Sequence, residues 1–432
     1  MIRRVRAQPT QLVRDRFKGL GAQEGTAVEP DSFSHGSTVV AAYQVGRFVD
    51  GGALAIGYST SKNAGLTWRS GLLPLLSRAA KPFGEAEVVA DPSGAFDAKH
   101  GYWLIVSLAA FRSSDAIVVS RSRDALMWQE PITAVRSESL DKSWISCDNW
   151  ATSPYRGNCY LAFLDGAMDA IVMRTSKDGG QTWSRSVVVA YGTAARQSIN
   201  GAQPLIRPNG AVAVVFTAIA PVPGPGRHRI AVARSLDGGE TFVAQQSAAF
   251  IEAGSFTIYG IRSPQFPSGG VDAGGTLYLT WHDCPAYECD GNEILFSRSQ
   301  DGSTWSTPQP LPKKPGDDAF LPALAVAAGT RGAHAQLAVS YYSVRCSGLV
   351  ACALDAYVIR SSDGGATWGA PERLNPKTMR LDWLAETNLG LMLGDYVSTS
   401  FASGRPIPVL ALASAPVGGH FNEAIFASRL PA

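Results

Sequence analysis

Six short segments recur along the chain, and their spacing limits what it can fold into. They are Ser61–Trp68, Ser122–Trp128, Ser176–Trp183, Ser235–Phe242, Ser299–Trp305 and Ser361–Trp368. In most of them a Ser, an Asp, one or two Gly and a Thr are followed by an aromatic residue. The acidic (or Asn) positions are 63, 124, 178, 237, 301 and 363, so successive copies lie 61, 54, 59, 64 and 62 residues apart. A repeat of that length, filled with short apolar runs, fits one four-stranded sheet per unit and predicts a β-propeller. Within each turn the Asp accepts backbone N–H groups, the glycines supply positive φ and the Thr hydroxyl braces the loop. The closing Trp or Phe is an apolar plug between sheets. Identical residues in six separate units cannot converge on one site, so these aspartates are structural. The second and fifth copies are one residue short and the first carries Asn63, so looser turns are expected there.

The strand rhythm around the motif is regular. Trp144–Asp148, Cys159–Leu164, Ala170–Thr175 and Ser186–Val189 read as the four strands of the third unit, with the alternation and β-branched content of half-buried strands. Second strands are expected at Ser37–Gln44, Tyr102–Leu108, Val212–Ala218, Thr276–Trp281, Gln336–Tyr342 and Ile407–Ala413 as well, seven in all against six motifs. The last unit, from about Asn388 to Arg429, runs out after its third strand, and a segment such as Ile2–Val13 would supply the fourth and remove an open edge. Seven blades in a single domain spanning 1–432 are therefore favoured, with residues 1–22 as an N-terminal segment. Six blades plus a terminal appendage is the alternative.

Composition narrows the function. Charged residues make up 17% of the chain and the net charge is +2, which gives no electrostatic case for nucleic acid. The locally basic start (Arg3, Arg4, Arg6, Arg14, Arg16, Lys18) reads either as an anionic-surface tether or as a solvated tail. No apolar run reaches the length of a membrane span, and no apolar stretch of a signal peptide follows Met1. The six cysteines fall into close pairs, Cys147/Cys159, Cys284/Cys289 and Cys346/Cys352. Separations of 12, 5 and 6 do not fit metal-ligand spacing, so neither a metal nor a cofactor is expected. Three local disulfides in a secreted protein whose signal has been removed are the first reading, and reduced core cysteines the second.

The motif resembles the Asp-box, or bacterial neuraminidase repeat, of the sialidase-like superfamily. The resemblance covers nearly the whole chain at the level of repeat architecture. It implies a propeller with its active site on the face opposite the motif turns, built from first-strand starts and second-to-third turns. Positions on that face include Gln23, Glu24, Glu85, Glu87, Asp141, Lys142, Asn200, Gln203, Arg262, Gln265, Asp317, Asp318, Asp395 and Tyr396 at strand starts. From turns come Gln44, Arg47, Asp50, Arg227, His282, Asp283, Glu288, Tyr341, Tyr342, Arg345, His420 and Glu423. A funnel of carboxylates with Arg, Tyr and Trp suits a polyhydroxylated or acidic sugar.

The candidate catalytic residues are Asp141, Asp318, Asp395 and Tyr396. The candidate substrate-binding residues are Arg47, Lys142, Arg262, His282, Asp283 and Arg345. The resemblance implies a Tyr nucleophile near the end of the propeller, which points to Tyr396; the other reading is a packed strand tyrosine. Asp141-Lys142 is either a charged pair in the funnel or a surface ion pair. His282-Asp283 is either a base with its orienting acid or an exposed loop pair, and Arg262 either a carboxylate clamp or a rim charge. The Phe/Tyr-Arg-Ile-Pro signature of sialidases is absent, since the matching region is Glu29-Pro30-Asp31-Ser32-Phe33, with no arginine. The expected function is a secreted carbohydrate-active enzyme, a glycoside hydrolase acting on a glycan and including exo-sialidase activity. The alternatives are a polysaccharide lyase on the same scaffold and a non-catalytic glycan- or protein-binding propeller.

Overall fold

The computed structural model describes residues 8–192, 198–219, 228–251, 257–284, 291–347 and 351–432. Arg227, Glu288 and Cys289 lie outside the described residues. The described chain is all-β, and its helix is confined to two 3-10 turns, Gly332–His334 and Leu381–Trp383. None of its helices is long and apolar enough to cross a membrane.

Four-stranded antiparallel meanders follow one another along the sequence. The first runs Ala27–His35, Thr38–Arg47, Ala53–Ser61 and Arg69–Leu72. The second begins at Val88–Asp97 and is joined to the first through an Ala53–Val89 pair. Further units begin at Leu140–Cys147, Ser198–Ile206, Ser268–Val271, Asp318–Val326 and Ser398–Ala402. The unit that begins at Ser398 has its outer position filled by Thr10–Gln11, which pairs antiparallel with Phe426 and Ala427. First strands pack on one another in sequence order, and Ser398–Ala402 packs back against Ala27–His35. The arrangement is propeller-like.

The recurring turns hold the units together. Asp178 Oδ1 accepts the N–H groups of Gln181 and Thr182 at 3.0 and 2.9 Å, and its other oxygen accepts the Thr182 hydroxyl at 2.6 Å. The first, second and fifth turns keep part of this set. Asp124 still accepts two backbone N–H groups at 2.9 and 2.8 Å, and Asp301 two at 2.7 and 2.8 Å. Asn63 accepts Thr67 N–H at 2.9 Å and donates its amide to the Thr67 hydroxyl. The two shortened turns keep two backbone donors but, among the described residues, not the Thr hydroxyl that braces Asp178. The closing aromatics Trp68, Trp128, Trp183, Phe242, Trp305 and Trp368 each enter a different hydrophobic cluster, and these clusters lie between adjacent units. Burial is therefore shared between neighbours, as in other repeat architectures.

Two disulfides lie within the described residues, Cys147–Cys159 and Cys346–Cys352. The first closes a first-to-second strand connection and the second the tip of the hairpin Leu337–Ser347/Ala351–Ser361.

Candidate active site at the axis

A recurring irregularity of the first strands builds the site. Pairing to the second strand slips between Val28 and Asp31, Ala90 and Ser93, Asp141 and Trp144, Asn200 and Gln203, and Phe320 and Ala323. At each slip one residue has positive φ: Glu29 (55°), Asp91 (48°), Lys142 (49°), Gly201 (75°) and Leu321 (49°). A bulge re-aims its side chain out of the sheet. A non-glycine residue in this conformation costs about 1–3 kcal/mol, and such strain concentrates at functional sites. Three consecutive units place a charged residue there, and all three are buried.

These charges form one network. Asp91 accepts the Lys142 backbone N–H at 3.0 Å. Asp31 accepts Gly94 N–H at 2.7 Å and the Ser398 hydroxyl at 3.2 Å. Glu29 accepts the Asp395 backbone N–H at 3.0 Å through one oxygen and the Gln44 amide through the other. Arg47, itself buried, donates to Gln44 at 3.2 Å and to the Gly52 carbonyl at 2.9 Å. Arg262 meets Asp395 with two nitrogens, Nε at 2.5 Å. The Lys142 ammonium lies 3.9 Å from the Trp144 ring centre and 3.7 Å from that of Tyr396, and the two rings meet edge to face at 5.2 Å.

Arg262 reaches the axis through a small added sheet. Thr257–Ile258 and Ile261–Arg262 form a hairpin, and Ile261 pairs in parallel with Leu391 of the strand Gly390–Met392. Gly390 has φ of 119°, and a Cβ there would stand 2.5 Å from the Gly260 carbonyl oxygen, so only glycine permits this approach.

Burial dominates the electrostatics. It raises the Glu29 carboxyl, with Asp395 adding to the effect and Arg47 and Arg262 opposing it. It pushes Asp91 well above the usual carboxylate range, helped by Glu29 and Asp141 and opposed by Lys142. Asp31 is pushed up to about 6 by burial, against hydrogen bonds from Gly94 and Ser32. Burial brings Lys142 down to about 8, while Asp91, Glu29, Asp31 and Asp395 pull the other way.

The candidates separate into groups. Lys142, Asp395 and Tyr396 line one cavity of about 30 Å³ with Trp144, Gln203 and Phe266. Asp141 is exposed and accepts the Asn200 amide at 2.9 Å. Tyr396 is buried, its hydroxyl donates to the Pro92 carbonyl at 3.1 Å, and burial among Glu29, Asp91 and Asp31 pushes its phenol well up. That geometry suits a wall of the cavity and the packed-tyrosine reading. Asp318 is tied to the Asn292 backbone and amide at 2.7 and 3.0 Å. His282 is buried rather than on an exposed loop, and burial lowers it to about 4 despite the Ser263 backbone. Asp283 is buried beside it and accepts Cys284 N–H at 2.7 Å. Arg345 is half exposed and pairs with Asp317 at 2.7 Å, so the structure does not place it with Arg47 and Arg262 around Glu29.

Glu29, Asp31 and Asp91 were missed as axial residues. Glu85 and Glu87, expected at the start of the second unit, lie ahead of it, with Glu87 in an exposed ion pair to Arg78. One signal was available: Glu29-Pro30, Asp91-Pro92 and Leu321-Pro322 recur at the same point of their units. Proline has no N–H to give a ladder, so its repetition inside strands marks bulges.

No protein-family model matches the chain, and no curated protein matches it in sequence. Solved structures resemble it in fold. A polysaccharide lyase of the ulvan lyase type aligns over 98% of this chain and 96% of its own, at 12% identity and a TM-score of 0.53. An α-L-arabinofuranosidase from Fusarium graminearum aligns over 87% and 99%, at 13% identity and a TM-score of 0.51. A leech intramolecular trans-sialidase aligns over 78% and 67%, at 12% identity and a TM-score of 0.53. At these identities the likeness is one of fold.

Proposed function

We propose that the chain is a secreted glycan-active enzyme on a seven-bladed propeller, and that it cleaves a glycosidic bond at the axis. One observation carries the reading. Lys142, brought down to about 8, and Asp395, gripped by Arg262, line the same cavity beside the aromatic wall of Trp144 and Tyr396. A general acid works best with a pKa near the working pH. In the hydrolytic step the Lys142 ammonium gives its proton to the leaving glycosidic oxygen as the bond from the anomeric carbon breaks. A water adds to that carbon and its proton passes to the Asp395 carboxylate. Glu29, Asp31 and Asp91 set the charge around Lys142, and Asp141 with Asn200 stands at the surface near this network. The names of the fold neighbours, an arabinofuranosidase and a trans-sialidase among them, support a glycan substrate.

The same lysine supports a second reading. As a neutral amine Lys142 could take the proton beside a uronate carboxylate, which is lyase chemistry, and the ulvan lyase aligns along nearly the full length. The experiment is a glycan panel that includes a fluorogenic sialoside and uronate polymers, scored for new reducing ends and for ultraviolet-absorbing unsaturated uronate. Hydrolysis without the absorbing product supports the first reading. Absorbing product supports the second. A folded protein that cleaves nothing, or folded Lys142→Met and Asp395→Asn variants that keep parental turnover, would sink the axial assignment.

A further inference from the structure

A second cavity lies away from the axis, between the N-terminal segment and the turn after the strand Arg405–Ala413. It measures about 270 Å³, and Arg14, Arg16 and Lys18 form one side, His420 and Asn422 the other, with Glu423 at the floor. Its walls are clamped together. Asp15 accepts the N–H groups of Phe17, Gly25 and Thr26 at 2.8, 2.9 and 3.3 Å. Glu423 N–H donates to the Gly25 carbonyl at 2.9 Å, and a Cβ on Gly25 would collide with the Phe421 carbonyl at 1.9 Å. Burial alternates along the segment. Asp15 and Phe17 face inward, and Arg14, Arg16 and Lys18 are exposed on the other side.

Two of the three cations on this wall have no partner among the described residues. Arg14 donates to a neutral partner, Asn422 Oδ1, at 2.8 Å. Among the described residues neither Arg16 nor Lys18 has a hydrogen-bonded or ion-paired side chain. Asp15 and Glu24 also line the cavity, but both are engaged: Asp15 on its three backbone donors, and Glu24 on Gly19 N–H at 2.9 Å and His420 at 3.3 Å. Glu423 is buried with one oxygen unbonded. Burial pushes its carboxyl up to about 8, so at neutral pH it adds a donor rather than a charge.

We propose that this cavity is a secondary binding site for an anionic polysaccharide, taking a carboxylated or sulfated sugar on its cationic wall. Three exposed cations at alternate positions along one side suit a chain of repeated negative charges better than a single small anion. The cavity shares no lining residue with the axial one. It borders the start of the first unit and a second-to-third turn, and Gln23 ties its segment to Glu386 beside the added sheet at 2.8 Å. The inference takes its ligand class from the glycan reading above.

The test is binding of the full chain to polygalacturonate, dextran sulfate and neutral dextran, with duplex DNA as a rival polyanion. The expected result is salt-sensitive binding to one or both charged glycans in preference to DNA and neutral dextran. Which glycan binds distinguishes carboxylate from sulfate. Arg16→Ala/Lys18→Ala should lose at least about tenfold in affinity with an unchanged melting temperature, and Arg16→Glu should lose more. Equal binding of DNA, or retention of affinity within about twofold in both variants, would overturn the proposal. Lys142→Met separates the two sites. If it alone abolishes binding, the secondary site fails and the axial one stands. If the Arg16/Lys18 pair carries binding while no glycan is cleaved, the secondary site stands and the axial reading fails.

Discussion

Arg262 grips Asp395 with two guanidinium nitrogens, although the two residues lie 133 positions apart and belong to different units. The arginine is 19% exposed and the aspartate 11%, so the pair is largely out of water. Asp395 also holds Glu29 through its own backbone N–H, which makes the contact the link between the added sheet and the axial carboxylates.

Breaking that link should cost more than a surface ion pair. Arg262→Ala leaves a mostly buried carboxylate without its cation, and loss of one partner of such a pair costs about 3–5 kcal/mol. Chemical denaturation would measure it. A loss below about 1 kcal/mol would place the pair among solvated rim charges. Arg262→Lys should recover only part, because a lysine cannot present two parallel donors.

The pH profile should reveal which form of Lys142 works. Its folded value is about 8. If the ammonium is the general acid, turnover falls as pH rises through about 8. If the amine is the base, turnover rises through the same point. A profile flat from pH 7 to 9 for a step limited by chemistry would remove Lys142 from either role.

The recurring turns should make the fold sensitive to acid. Asp237 is held near 2 by the Thr241 hydroxyl, and Asp301 near 2 by the N–H groups of Thr304 and Ser303. Folded values below the ordinary 3.8 give stability that is present above about 4 and lost as pH falls from there towards 2. Both groups are exposed, so each effect is small and screened. Melting temperature followed between pH 5 and 2 should fall less steeply in Asp237→Asn than in the parent, while turnover of the folded fraction stays near parental.

Glu423 should act in the opposite sense. Its folded value is about 8 against an ordinary 4.5, because burial disfavours the charge. The native state therefore holds a proton that the unfolded chain has lost, and stability declines as pH rises from about 4.5 to 8. Glu423→Gln should flatten that slope. An unchanged slope would mean that the carboxyl is ionised in place.

Removing residues 1–12 should destabilise the sheet that ends the chain. Thr10 and Gln11 pair with Ala427 and Phe426, and Leu12 N–H donates to Ile425 at 2.8 Å. The truncation bares the edge of Glu423–Ala427 and exposes the core position of Leu12. Light scattering on heating should show earlier aggregation. Parental melting and solubility would show that this strand does not hold the edge.

Much of this protein is local chemistry, and that part was readable from the chain. A Ser-Asp-Gly turn is decided by a few neighbouring residues, since the acceptor and its donors lie within four positions of each other. The alternation around it marks strands for the same reason. The axial site is not local. Glu29, Asp91 and Lys142 point out of their sheets because a bulge sets a left-handed backbone at one position per strand, and the residue-proline step hinted at it only for Glu29 and Asp91. Tyr396 became a wall because Pro92, 304 residues away, offers its carbonyl to the hydroxyl. Arg262 became the partner of Asp395 because two irregular segments pair beside Gly390, where nothing larger than hydrogen fits. Which charged groups meet depends on the packing of separate units against one another, and so tertiary structure decided the site.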